Sequence, residues 1–209
     1  MGRIENTCMA MATAWLVLLG CSALEPKPDP SRFFTLTPVA QSNQKAIEVS
    51  SNPSGISLGI GPVKLPGYLD REQLVTRVSQ NRFQVSENDR WAEPLTENFI
   101  RVLMENLTAL APAARLVTYP WRAGERPQYQ LEIDVLRFES DGTGHVELVA
   151  RWLIRETATK HASAVTGTRL TPSVKGSSAE HAVTAMSAAL GELSQEIAQA
   201  VNGKFQSFK

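Results

Sequence analysis

The sequence predicts an α+β fold: a two-layer sandwich with a mixed sheet, an antiparallel meander within it, and two long helices packed on one face. Three observations carry that expectation. Tyr129, Leu131, Ile133 and Val135 alternate with Gln130, Glu132 and Asp134, and the alternation resumes at Val146, Leu148, Ala150, Trp152 and Ile154 after the Asp141-Gly142-Thr143-Gly144 turn. Leu95, Phe99, Val102, Leu103, Leu107 and Leu110 recur at intervals of three and four, the stripe of a helix with one buried face. Val183, Met186, Leu190, Leu193, Ile197 and Val201 repeat that stripe near the end of the chain. Two one-sided helices and a one-sided sheet bury their apolar surfaces against each other as two layers.

The chain has 209 residues, which suits one globular domain preceded by a leader and a linker. Lys plus Arg equals Asp plus Glu, 21 of each. Taking away residues 1–20 removes Arg3 and Glu5 together and keeps that balance. A neutral chain lacks the basic face with which a protein displaces counterions from nucleic acid, so a nucleic-acid partner is not expected.

Residues 1–20 read as an export leader. Arg3 gives a positive start, and Met9 to Leu19 is an apolar run of about a dozen residues, too short for the roughly 20 that a spanning helix needs. It closes on Leu18-Leu19-Gly20-Cys21, which resembles a bacterial lipoprotein cleavage site. There a small residue fits the peptidase cleft and the cysteine sulfur accepts a diacylglyceryl group. A simple secretory leader and a buried cysteine are the alternatives. Cys8 lies within the leader, so the mature chain keeps one cysteine and no disulfide. A thioether-linked lipid also removes the hazard of a lone thiol in an oxidising compartment. Diacylglycerol and an N-acyl chain on Cys21 are the only prosthetic chemistry expected; no cofactor is. Ser22, in place of aspartate, suits a lipoprotein sent on to the outer membrane.

Residues 21–55 form a linker rich in Pro, Ser, Asn and Gln, and Glu25 to Pro30 favours stiff, extended backbone. Phe33 to Leu36 interrupts it as a short strand. The domain proper is expected over 56–204. Ile56, Leu58 and Ile60 make a strand that Pro62, lacking an N–H, is expected to end. Gln73 to Arg77 and Phe83 to Ser86 are short strands, a helix runs from about Trp91 to Ala111, and Arg115 to Tyr119 is another strand. Pro94, Glu93 and Glu97 suit that helix's first turn, and Pro112 stops it. Val165 to Leu170 adds a strand to the meander. The last helix starts at a capping box of Ser177 and Glu180 and ends at Gly203, roughly 36 Å of helix. Trp91, Trp121 and Trp152 read as core.

Between the first two strands of the domain lies Leu65-Pro66-Gly67-Tyr68-Leu69-Asp70-Arg71. Its Pro-Gly pair marks a turn, yet it carries three large apolar side chains. Such a loop either folds onto the core or is offered to a partner, and Tyr and Arg are residue types that dominate interface hot spots. Leu65, Pro66, Tyr68, Leu69 and Arg71 are therefore the candidate partner-binding residues.

Gly61-Pro62-Val63, Leu65 to Arg71 and Gln73 to Arg77, with Arg32 to Leu36 and Arg90 to Leu95 around them, resemble the ABC-type transport auxiliary lipoproteins. The resemblance implies a periplasmic, outer-membrane-anchored, non-catalytic accessory of a transport system that moves lipids or other apolar molecules between membranes. Its implied partner is a periplasmic protein with mammalian-cell-entry domains, met through the chain's own oligomer or through the Leu65–Arg71 loop. A carrier that holds one lipid inside the sandwich is the alternative.

No motif for catalysis or metal binding stands out. His145, His161 and His181 are scattered without ligand spacing, and His145 reads as a polar-face residue of its strand. Glu132 and Asp134 share one strand face and, with His145, form the one group that an enzyme could be built on. Solvated strand carboxylates are the simpler account.

Overall fold

The computed structural model describes residues 28–39, 56–173 and 175–206. The chain divides into two compact units, Met1–Pro30 and Ser31–Lys209, and the second holds the fold. The leader and Cys21 lie outside the described residues.

The second unit is a mixed sheet under two helices. The strands are β1 (Arg32–Phe34), β2 (Ile56–Lys64), β3 (Gln73–Ser79), β4 (Arg82–Trp91), β5 (Ala114–Thr118), β6 (Tyr129–Ser140), β7 (Val146–Glu156) and β8 (Thr166–Leu170). The helices are α1 (Leu95–Leu110) and α2 (Ala179–Gln206). The sheet runs β1-β4-β3-β6-β2-β5, and β7 and β8 extend it from β6. β6, β7 and β8 are the antiparallel meander. β7 pairs with β6 from Tyr129 to Ser140, so β2 and β3 divide the other flank of β6 between them. β2 pairs parallel with Leu58↔Tyr129 through Lys64↔Asp134, and β3 meets β6 at Thr76↔Ser140.

Both predicted helical stripes face this sheet. Phe99, Val102, Leu103 and Leu107 of α1, and Leu190, Leu193, Ile197 and Val201 of α2, are buried against Leu58, Ile60, Leu131, Ile133, Phe138 and Leu148. Phe99 meets Phe138 edge-on, with centroids 5.5 Å apart. Burying each large side chain of this kind contributes roughly 1.5–3 kcal/mol.

Several local expectations are corrected. Pro62 does not end β2: the register slips between Ile60 and Val63, and in that bulge no N–H is asked of it. Gln130 Nε2 donates to the Gly61 carbonyl there, at 2.9 Å. The strand at 83–86 runs on to Trp91, so α1 starts later, at Leu95 with Pro94 as its cap. Leu110 lies at the exposed end of the stripe. α2 passes through Gly203 to Gln206. Its first turn is capped by Ser178, whose Oγ accepts the His181 backbone N–H at 3.3 Å.

The described residues ahead of β2 belong to the folded body. Thr35 to Val39 lies as a strap in the seam between the helices, with Leu36 and Pro38 buried. Its backbone N–H groups are met by side chains on both: Leu36 donates to Asn98 Oδ1 (3.2 Å), Thr37 to Ser187 Oγ (3.1 Å) and Val39 to Asn106 Oδ1 (2.9 Å). Asn106 Nδ2 in turn donates to Ser194 Oγ at 3.1 Å. Gly191 leaves room for Val39, whose side chain occupies the space where a Cβ would stand.

Candidate functional site: the loop between β2 and β3

Leu65 to Glu72 joins two strands that follow one another, both parallel to β6, along one flank of it. Gly67–Leu69 form a single 3-10 turn after Pro66. Leu69 points into the core at 4% exposure, and it leaves the set of candidate contact residues. Its burial is what ties the turn down. Leu65 and Tyr68 are half-buried against the core, Pro66 is half-buried, and Asp70 and Arg71 are exposed.

Tyr68 is held by a buried carboxylate. A bulge at Leu136 shifts the alternation of β6, so Phe138 faces the helices and Glu139 the opposite side. The loop, β3 and β4 cover Glu139, leaving its side chain 1% exposed. Tyr68 Oη donates to Glu139 Oε2 at 2.6 Å, and the Phe138 backbone N–H donates to the same oxygen at 2.9 Å. Arg77 Nε donates to Oε1 at 2.7 Å, and the ion pair brings Nη2 to 2.7 Å from the same oxygen. Phe83, the register partner of Arg77, stacks on the Tyr68 ring (centroids 4.5 Å apart) and lies under the Arg77 guanidinium at 4.3 Å. A buried charge costs several kcal/mol unless its lone pairs are used, and here they are. Burial, with the Glu139 hydrogen bond and charge behind it, pushes the Tyr68 phenol well above its ordinary value. Tyr68 therefore stays a neutral donor, and the loop presents a fixed shape.

The other candidates fall apart as a catalytic group. Glu132 accepts Arg155 Nε at 2.8 Å and Asp134 accepts Arg151 Nη2 at 2.8 Å, which are cross-strand pairs on the helix-free face. His145 sits in the exposed turn beyond β6, beside Thr143 and Asp141. Six strand positions, roughly 20 Å, separate Asp134 from that end. Among the described residues no three His, Cys, Asp or Glu side chains gather as a metal site, and no helix is long and apolar enough to cross a membrane.

A cleft of about 240 Å³ opens between the start of α2 and β3–β4, floored by Leu74, Trp91 and Phe138. Small-molecule sites usually enclose about 300–1,000 Å³, so it does not favour a whole lipid within the sandwich.

Of the three tryptophans expected in the core, Trp91 and Trp152 are there, at 6% and 5% exposure. Trp121 is not. It lies half-buried across the helix-free face of β2, where Gly59 makes room: a Cβ there would run into its ring and into Pro127. Tyr119 packs edge-on against Trp121 at 5.3 Å, and Gly61, at φ +119°, leaves space for Tyr119. The glycines before the loop are thus explained by a segment sixty residues away, which no local signal reveals.

Comparison with known proteins gives the family and the fold. The chain is 26% identical over 151 residues to intermembrane transport lipoprotein PqiC of Escherichia coli K12, covering 72% of this chain and 74% of that protein. The Shigella flexneri PqiC matches with the same figures. The crystal structure of XCC0632 from Xanthomonas campestris superposes with a TM-score of 0.65 at 17% identity, over 86% of this chain and all of that one. A second crystal structure, 18% identical, gives a TM-score of 0.66 over 82% of this chain and 98% of its own. The two structures share the sheet-and-helix architecture. A family model takes in residues 34–198, from the last residue of β1 to deep within α2, including the strap, the bulged β2 and the pinned loop. The chain belongs to the ABC-type transport auxiliary lipoprotein component family.

Proposed function

We propose that this protein is anchored by diacylglycerol and an N-acyl chain on Cys21 to the periplasmic face of the outer membrane. There it serves, without catalysis, as the accessory of a transport system whose periplasmic component carries mammalian-cell-entry domains. The system moves lipids or other apolar molecules between the two membranes. This chain fixes the outer end of the conduit, alone or as a homo-oligomer, and Leu65, Pro66, Tyr68 and Arg71 meet the partner.

The observation that carries this reading is the pinned loop. A fully buried carboxylate, an arginine and two stacked rings are committed to the shape of a seven-residue turn, and a pre-shaped loop loses little freedom on docking. The strap supports the same role, since it ties the chain's N-terminal approach to both helices. Two acyl chains or more hold a protein firmly, at ~0.8 kcal/mol per buried CH₂.

Two experiments test it. Cys21→Ala should release the protein from the membrane fraction; retention with no acyl mass on the chain would sink the anchor. A photocrosslinker at Tyr68 in cells should capture the mammalian-cell-entry-type component, and capture of lipid alone would favour the carrier reading.

A further inference from the structure

β5 ends the sheet, and among the described residues no strand pairs with its outer side. Its register with β2, Arg115↔Ser57 and Val117↔Gly59, puts Arg115 on the face where Trp121 covers Gly59. The segment that follows β5 folds back over this face and brings Tyr119, 49% exposed, together with exposed Arg122 and Arg126. Elsewhere on that face the arginines come with carboxylates: Arg137 and Arg169 share Glu147, Arg151 holds Asp134, and Arg155 holds Glu132. Arg115, Arg122 and Arg126 hold none among the described residues. Glu125, the acid of the segment, accepts the Arg122 backbone N–H at 3.1 Å. An open strand edge, three unmatched cations and a fixed aromatic pair thus coincide at one border of the sheet.

A surface built only to rest on the anchoring bilayer would make no use of unpaired backbone N–H and C=O groups, which lipids cannot extend into a ladder.

We propose that the β5 edge takes up an extended, acidic segment of a protein partner as an added strand. Main-chain hydrogen bonds to Ala114–Thr118 would supply much of the affinity, and the arginines would select carboxylates on alternate residues. Tyr119 and Trp121, fixed over Gly61 and Gly59, would pack on an apolar residue between them. This surface is separate from the Leu65–Arg71 loop, and either could fail without the other.

The test uses the full-length protein in detergent micelles and a labelled peptide of about ten residues that alternates Glu and Val, followed by fluorescence anisotropy. Binding should appear at low salt and weaken at ~0.5 M salt. The triple variant Arg115→Gln, Arg122→Gln, Arg126→Gln should keep its melting temperature and bind roughly tenfold more weakly, at about twofold for each exposed charge pair. N-methylation of alternate backbone amides of the peptide should abolish binding. No binding at ~1 mM, equal binding of a Lys-Val peptide, or an unchanged triple variant would overturn the proposal. So would brominated phosphatidylglycerol quenching Trp121 where the peptide does not, which would put a lipid headgroup there. Self-association that the triple variant abolishes would assign the edge to a second copy and overturn it equally.

Discussion

Tyr68→Phe removes one oxygen and leaves the ring stacked on Phe83. The lost bond is 2.6 Å long and runs to an ionised acceptor with 1% exposure. Hydrogen bonds to charged groups contribute about 1.5–3 kcal/mol. Tyr68 is half-buried and Glu139 keeps two other donors and the Arg77 ion pair, so the lower end applies, ~1.5 kcal/mol. For a domain of this size that lowers Tm by about 3–6 °C. In a Glu139→Gln background the same hydroxyl faces a neutral acceptor, whose bond is worth about 0.5–1.5 kcal/mol. The two changes should therefore couple by roughly 1 kcal/mol in a double-mutant cycle. Urea unfolding of the four proteins, at a common m-value, measures it. A Tyr68→Phe variant within ~0.3 kcal/mol of the parent, or a cycle that closes to zero, would show that Glu139 does not hold the loop.

The raised phenol pKa gives a pH signature. Its stabilisation is complete below the free tyrosine value of about 10 and is lost as pH rises above it, because the unfolded chain then releases a proton that the folded one keeps. Thermal melts above that pH should fall more steeply for the parent than for Tyr68→Phe, and parallel curves would refute the assignment. Asn98→Leu leaves the buried Leu36 N–H without its acceptor, at a cost of about 1–3 kcal/mol, and limited proteolysis should cut near the strap faster. Gly59→Ala pushes a methyl into the Trp121 ring and should cost about 1–3 kcal/mol; intrinsic fluorescence should shift, since Trp91 and Trp152 are buried elsewhere.

Period-two alternation located β6 and β7, and three-and-four spacing located both helices, because each pattern reports one buried face of one element. What escaped the sequence was every feature that depends on a distant partner. Asn98, Asn106, Ser187 and Ser194 read as ordinary polar positions on helices, yet they are buried because the strap lies between them. Glu139 reads as a wet strand residue until the Leu136 bulge and the loop above it are known. Pro62 signals a stop only where a ladder bond is required, and in a bulge it is not. For the candidate site, the motif marked the loop's position but not its inward turn, so Leu69 passed for a contact residue.

The way β2 and β3 share β6 limits what can happen to the loop between them. One strand leaves β6 at Asp134 and the next joins it at Ser140, so the eight residues from Leu65 to Glu72 cross a gap of set width. Surface loops commonly accept insertions and deletions. This one would have to drag a strand out of line to lengthen or shorten, so variation here should be confined to swapping side chains at constant residue count.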